Sequence, residues 1–173
     1  TLGPSPIPTL KTTEIINKFS NLTKELKGDY GFYVYNLTTK RSYGIKENQV
    51  FPGASLMKLP VILTLYFEAE AGWLNLETKY TLRAVDKREG AGPMQYQPAG
   101  TVYTYLKMIE LMGQQSDNTA FNVFRNLLGD QKIQKNINDL GMKNTSIEQF
   151  DTTAYDIGLL IRKFCSGSIV TRA

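Results

Sequence analysis

The stretch FPGASLMKLPVILTLYFEAEAG, Phe51 to Gly72, decides how this chain is read. It is an apolar segment of helical character that begins with Ser55 and carries Lys58 three residues later. Residues three apart lie on one face of a helix, so a hydroxyl and an ammonium become neighbours there. The chain has no histidine among its 173 residues, which rules out Ser-His-Asp and Cys-His catalysis within it. A serine activated by lysine needs the spacing that Ser55 and Lys58 have.

Working outward, the longest mainly apolar run, Leu59 to Phe67, is interrupted by Pro60 and Thr64. It falls far short of the roughly 20 residues that span a bilayer. A chain of this length that is 42% hydrophobic can bury one ordinary core, or a core and a small lobe. The net charge of +4 is mild and the basic residues are scattered among acidic ones, which argues against a nucleic-acid partner. The single cysteine, Cys165, excludes an internal disulfide and, without histidine, any Cys/His zinc site, so no metal and no cofactor is expected. The start, TLGPSPIPTL, has three prolines in its first eight residues and reads as a linker over residues 1–9.

Apolar residues Ile15, Ile16, Phe19, Leu22 and Leu26 recur at helical spacing and predict a helix from about Thr12 to Leu26, stopped by Gly28. YGFYVYNLTTKRSYGI predicts two aromatic-rich strands joined around Asn36 to Lys40. From there the pattern is helical. Helices are expected over Ser55 to Ala71, Tyr105 to Gly113, Thr119 to Leu128, Gln131 to Leu140 with Asp130 as N-cap, and Ala154 to Phe164 behind Thr153. Asp156, three residues after Thr153, has the spacing of a capping box. The glycine- and proline-rich stretch LRAVDKREGAGPMQYQPAGTVYT reads as a loop wrapping the helices. The fold class is therefore α+β, with residues 10–50 forming a helix and hairpin and residues 51–173 a helical domain. Two strands alone make a poor sheet, so further strands are expected from beyond Ala173.

A second polar cluster, Ser116-Asp117-Asn118, lies in LMGQQSDNTAFNVF between two apolar helical runs. By itself it reads equally as a turn whose Asp or Asn caps the next helix, just as Ser55 and Lys58 alone read as a helix-start serine and a solvated lysine. Taken together, in order, ASLMKLP, PAGTVYTYLKMIELM, SDNTAFN and DTTAYDIGLLIRKF resemble segments of the class A β-lactamases and the related penicillin-binding serine enzymes, from about Tyr30 to the end of the chain. The resemblance implies a β-lactamase/transpeptidase-like fold with an incomplete antiparallel sheet. It implies Ser55 as nucleophile, Lys58 as its base, Ser116 as a proton relay, and Asn118 as a group that holds the lysine and orients the substrate amide, with Asp117 bracing the turn. Substrates would be β-lactams or D-alanyl cell-wall peptides, in an exported, extracytoplasmic setting.

Two departures from the family pattern stand out. Class A enzymes carry a deacylating glutamate in a Glu-x-x-x-Asn pattern; the candidate here is Glu148 in NTSIEQF, and Thr152 stands four positions after it. No Lys-Thr-Gly occurs in the 173 residues. These departures lead to the expectation that the chain is a fragment, or works with its C-terminal segment in trans or as a domain-swapped dimer. They also keep open two alternatives: a penicillin-binding peptidase or slowly deacylating sink, and a non-catalytic wall- or partner-binding module.

Overall fold

In a computed structural model that describes residues 12–167 and 169, the chain folds as six helices and six short strands. The proline-rich segment expected over residues 1–9 lies outside the described residues. Helix α1, Thr12–Thr23, precedes strands β1, Phe32–Tyr35, and β2, Ser42–Ile45. These strands pair antiparallel in the register Phe32↔Ile45 to Tyr35↔Ser42. The Asn36 side chain closes their turn by accepting from the Thr38 and Thr39 amides.

Alternation along β1 sends Phe32 and Tyr33 to opposite faces, and a helix meets each. Phe32 stacks against Phe19 of α1, with ring centroids 4.5 Å apart. Tyr33 meets Tyr155 of helix α6, Ala154–Cys165, edge to face at 5.1 Å. Gly158 permits that approach, because a Cβ there would collide with the Tyr33 ring. The apolar faces of the hairpin are thus partly covered, and Val34 remains exposed.

The helical lobe centres on α2, Lys58–Glu70, which is apolar on nearly every side and packs against α3, Tyr105–Gln115, α4, Asn118–Leu128, and α5, Asp130–Asp139. Val61, Leu63 and Leu65 of α2 join Met108, Met112, Phe124, Ile133 and Ile137 in one buried core. Ser55 does not begin the α-helix as the sequence suggests; it lies in a 3-10 turn, Ala54–Met57, and α2 starts at Lys58. Helix α5 starts at Asp130 itself, with Gly129 as its cap. Thr153 caps α6 as expected, its hydroxyl accepting from the Asp156 amide at 3.0 Å.

Two further strand pairs add to the hairpin. Strand β3, Val50–Pro52, pairs antiparallel with β6, Asp151–Thr153, and β4, Lys79–Thr81, pairs with β5, Val102–Thr104. The β3–β6 pair draws the starts of α2 and α6 together. Between β4 and β5 the glycine-rich strap wraps the lobe as expected, burying Leu82 and Met94 and offering the Ala91 carbonyl to the Asn118 amide at 3.0 Å.

Candidate active site

Three segments remote in sequence converge on Ser55. The turn after β3 supplies Ser55 and Lys58, the α3–α4 junction supplies Ser116 and Asn118, and the residue before β6 supplies Phe150. The backbone at each is bent sharply, since Ala54, Ser116 and Phe150 take φ of 43°, 55° and 62°. Left-handed conformations at non-glycine residues cost energy and persist only where the surroundings impose them. At Ala54 the bend turns the strand into the helix and leaves the Ser55 side chain exposed at the mouth of the site. Gly53 anchors this turn by donating its amide to the Phe150 carbonyl at 2.7 Å.

Lys58 is the hub. Its residue surface is only 6% exposed, and Nζ lies 3.1 Å from Ser55 Oγ, 2.9 Å from Ser116 Oγ and 2.8 Å from Asn118 Oδ1. Ser116 Oγ in turn lies 2.8 Å from Ser55 Oγ. An ammonium donates to all three oxygens. A neutral amine fits equally well: it donates to Ser116 and Asn118 and accepts from Ser55, while Ser116 donates to Ser55. A proton can therefore pass from Ser55 to Lys58 without any heavy atom moving. Burial pulls the Lys58 pKa below the ordinary lysine value, and the Asp117 carboxylate opposes that pull less strongly.

Asp117 is fully buried and touches neither hydroxyl. It caps α4 by accepting from the Ala120 amide at 2.8 Å and ties down the strap by accepting from the Met94 amide at 2.8 Å. Gly92 lies so close that a Cβ there would overlap Asp117. Asn118 completes the junction by donating Nδ2 to the Glu89 carbonyl at 2.9 Å, which leaves its second amide proton uncommitted.

Ser55 and Lys58 separate two open concavities. One, of about 530 Å³, is walled by Asn118, Arg88, Glu89, Phe121, Arg125 and Phe150. The other, of about 520 Å³, is walled by Ser116, Leu59, Ile62, Met112 and Gly113. Phe121 and Phe150 pack edge to face at 5.7 Å, with the Phe121 ring centroid 5.8 Å from Lys58 Nζ.

Of the residues singled out from sequence, Ser55, Lys58, Ser116 and Asn118 are thus brought together. Glu148 is not among them: its exposed side chain lines a different concavity beside α5, with Gln134 and Lys135. Sequence reasoning missed Phe150, Arg88 and Gly92. Only Gly92 left a local signal, in the EGAGP run that marks a tight turn. No cluster of potential metal ligands occurs among the described residues, and no helix there is long and apolar enough to cross a membrane.

Comparison with known proteins identifies the family and the fold. The model of the beta-lactamase enzyme family matches residues 13–173. Beta-lactamase VEB-1 of Pseudomonas aeruginosa is 26% identical over 141 residues, which are 80% of this chain and 47% of that protein. The chain thus spans about half the length of this curated relative. Among solved structures, a beta-lactamase from Sphaerobacter thermophilus has the same fold with a TM-score of 0.86 at 20% identity, covering 94% of this chain and 65% of that one. PBP-A is similar with a TM-score of 0.84 at 26% identity, covering 96% of this chain and 67% of its own. A mutant of PBP-A, similar at 27% identity with a TM-score of 0.84 and covering the same 96% and 67%, is known as an acyl-enzyme complex with penicillin G.

Proposed function

Because the chain belongs to the beta-lactamase enzyme family, we propose that it is a serine acyl-transfer enzyme that opens β-lactams or D-alanyl cell-wall peptides through an acyl-enzyme on Ser55. The observation that carries this reading is the hydrogen-bonded ring of Ser55, Lys58 and Ser116, closed by Asn118 on the buried amine. Lys58, neutral, takes the Ser55 proton as Oγ attacks the carbonyl carbon. The proton then travels through Ser116 to the leaving nitrogen as the carbon–nitrogen bond breaks. The Ser55 amide, in the first turn of a helix and without a helical acceptor by position, supplies one donor for the developing oxyanion. The free amide proton of Asn118 orients the acyl amide.

A second donor and a Lys-Thr-Gly motif are not among these residues. We propose that acylation at full rate needs a segment that supplies both. An exported, extracytoplasmic location follows from the cell-wall substrate class.

The aromatic wall of Phe121 and Phe150 favours slow release of the acyl group, the behaviour of a penicillin-binding peptidase or sink. It leaves Glu89 as the one carboxylate lining that side of Ser55, while Glu148 lines a neighbouring concavity and bears on this one only through its charge on Arg125. Incubating the native protein with benzylpenicillin and measuring intact mass tests both readings. A persistent adduct that maps to Ser55 and vanishes in Ser55→Ala supports acyl transfer with slow release, while rapid turnover supports a β-lactamase. Absence of both adduct and turnover would refute the acyl-transfer reading in favour of a binding module.

A further inference from the structure

Ser116 and Asn118 stand on opposite sides of the nucleophile, and this decides which concavity receives which half of a substrate. The proton for the leaving nitrogen comes from Ser116, so the leaving group belongs in the concavity that Ser116 lines with Met112 and Gly113. The acyl half must then extend the other way, past Asn118, into the cavity of about 530 Å³ walled by Arg88, Glu89 and Arg125. Resting on the acyl-transfer reading, we propose that this cavity is an acyl-side subsite selective for a carboxylate, with Arg88 as the specificity-determining residue.

The charges in that wall are unequal in kind. Arg125 is committed to Asp130 through a two-point contact, Nε to Oδ1 at 2.7 Å and Nη2 to Oδ2 at 2.6 Å. Arg88 has no carboxylate partner among the described residues. Its Nη1 donates to the Val85 and Lys87 carbonyls at 3.1 and 2.8 Å, which fixes the guanidinium without neutralising it. The remaining Nε and Nη2 edge is the face suited to a carboxylate. The backbone beneath is equally fixed, since the Arg88 amide donates to Thr119 Oγ1 at 3.0 Å and the Glu89 carbonyl accepts from Asn118.

Glu89 carries the opposing charge. Its side chain, exposed as that of Arg88 is, lines the same cavity but makes no hydrogen bond among the described residues, so nothing holds the carboxylate in one place. A guanidinium held in place offers an incoming carboxylate a donor edge already formed, whereas the unanchored Glu89 carboxylate is free to swing away from it, and Lys58 adds positive charge whenever it is protonated.

Benzylpenicillin, carbenicillin and ampicillin share one nucleus and one phenyl group and differ at the acyl α-carbon by hydrogen, carboxylate and ammonium. Second-order acylation rates of the native protein should favour carbenicillin over benzylpenicillin by about two- to fivefold, the scale of one exposed charge contact. Arg88→Gln should bring that ratio to about one, and Arg88→Lys should keep it above one. The ratio is the readout because a general loss of activity cancels from it. A native ratio at or below one, a preference for ampicillin, or a ratio unmoved by Arg88→Gln would overturn the subsite. Failure of all three compounds to acylate would instead sink the acyl-transfer reading, and the subsite with it.

Discussion

Replacing Lys58 by methionine should nearly abolish acylation and yet leave the fold about as stable as before. The side chain sits in a pocket where it is only 6% exposed and its ammonium meets neutral oxygens alone. Methionine keeps the unbranched stem and fills the same space. Ser55 and Ser116 keep their mutual bond of 2.8 Å. Asn118 Oδ1 loses its donor, a cost of about 1–3 kcal/mol for a buried acceptor. Against this stands the desolvation of the ammonium, which is what lowers the Lys58 pKa. Each tenfold change in that protonation equilibrium is worth about 1.4 kcal/mol. The two effects oppose each other, so the net change should be smaller than the loss of the donor alone would give, within about 2 kcal/mol. The sign depends on pH. Since the folded pKa lies below the unfolded value of 10.5, the native protein bears the full penalty below its folded pKa and sheds it as pH rises toward 10.5. The variant should therefore compare best with the native protein near neutrality and worse at pH 10. Loss of the base should slow acylation by about a hundred- to ten-thousandfold. Denaturant titrations at both pH values, paired with acylation kinetics, measure the two halves. Acylation within tenfold of native would refute the role of Lys58, and a loss of more than about 3 kcal/mol at neutral pH would refute the claim that its burial is costly.

Ser55→Ala should remove covalent labelling and change stability by no more than about 1 kcal/mol, because the hydroxyl is exposed; labelling that survives would reassign the nucleophile. Asp117→Asn sets an amide NH₂ against either the Ala120 or the Met94 N–H and should cost about 1–3 kcal/mol. Because the Asp117 charge raises the Lys58 pKa, the acid limb of acylation should also move to lower pH, and an upward move in the pH–rate profile would contradict the electrostatics. Gly92→Ala combines a φ of 95° with overlap on Asp117 and should destabilise by about 3 kcal/mol or more, visible as a clear fall in the denaturation midpoint. Ala54→Gly relieves a φ of 43° and should raise the melting temperature slightly while slowing acylation; a faster enzyme would mean that the strained turn does not aim Ser55.

The legible parts of the site were those encoded locally. Ser55 and Lys58 are brought together by helical spacing, and apolar periodicity located every α-helix of the lobe to within a few residues. The 3-10 turn at Ala54–Met57 was missed because its sequence differs from an α-helical start in no visible way; the bend at Ala54 comes from the β3–β6 pair behind it. Those strands are three residues long, too short for alternation to register, and Pro52 within β3 reads as a break. Phe150, Arg88 and Gly92 reach the site only through tertiary contacts. Glu148 shows the reverse case: a chemically suitable residue in a suitable loop whose side chain faces another concavity.

The hydrogen bond from the Gly53 amide to the Phe150 carbonyl joins residues 150 − 53 = 97 positions apart. Ser116 meets Ser55 across 61 positions. Contacts of such long range form late, since the loops they close must be ordered before the contacts can reward them. During synthesis and refolding, the helices, whose backbone bonds are local, can therefore form before the nucleophile turn takes its final shape. Recovery of covalent labelling should consequently lag behind recovery of helical signal, so that acylation of Ser55 serves as a clock for the last step of folding.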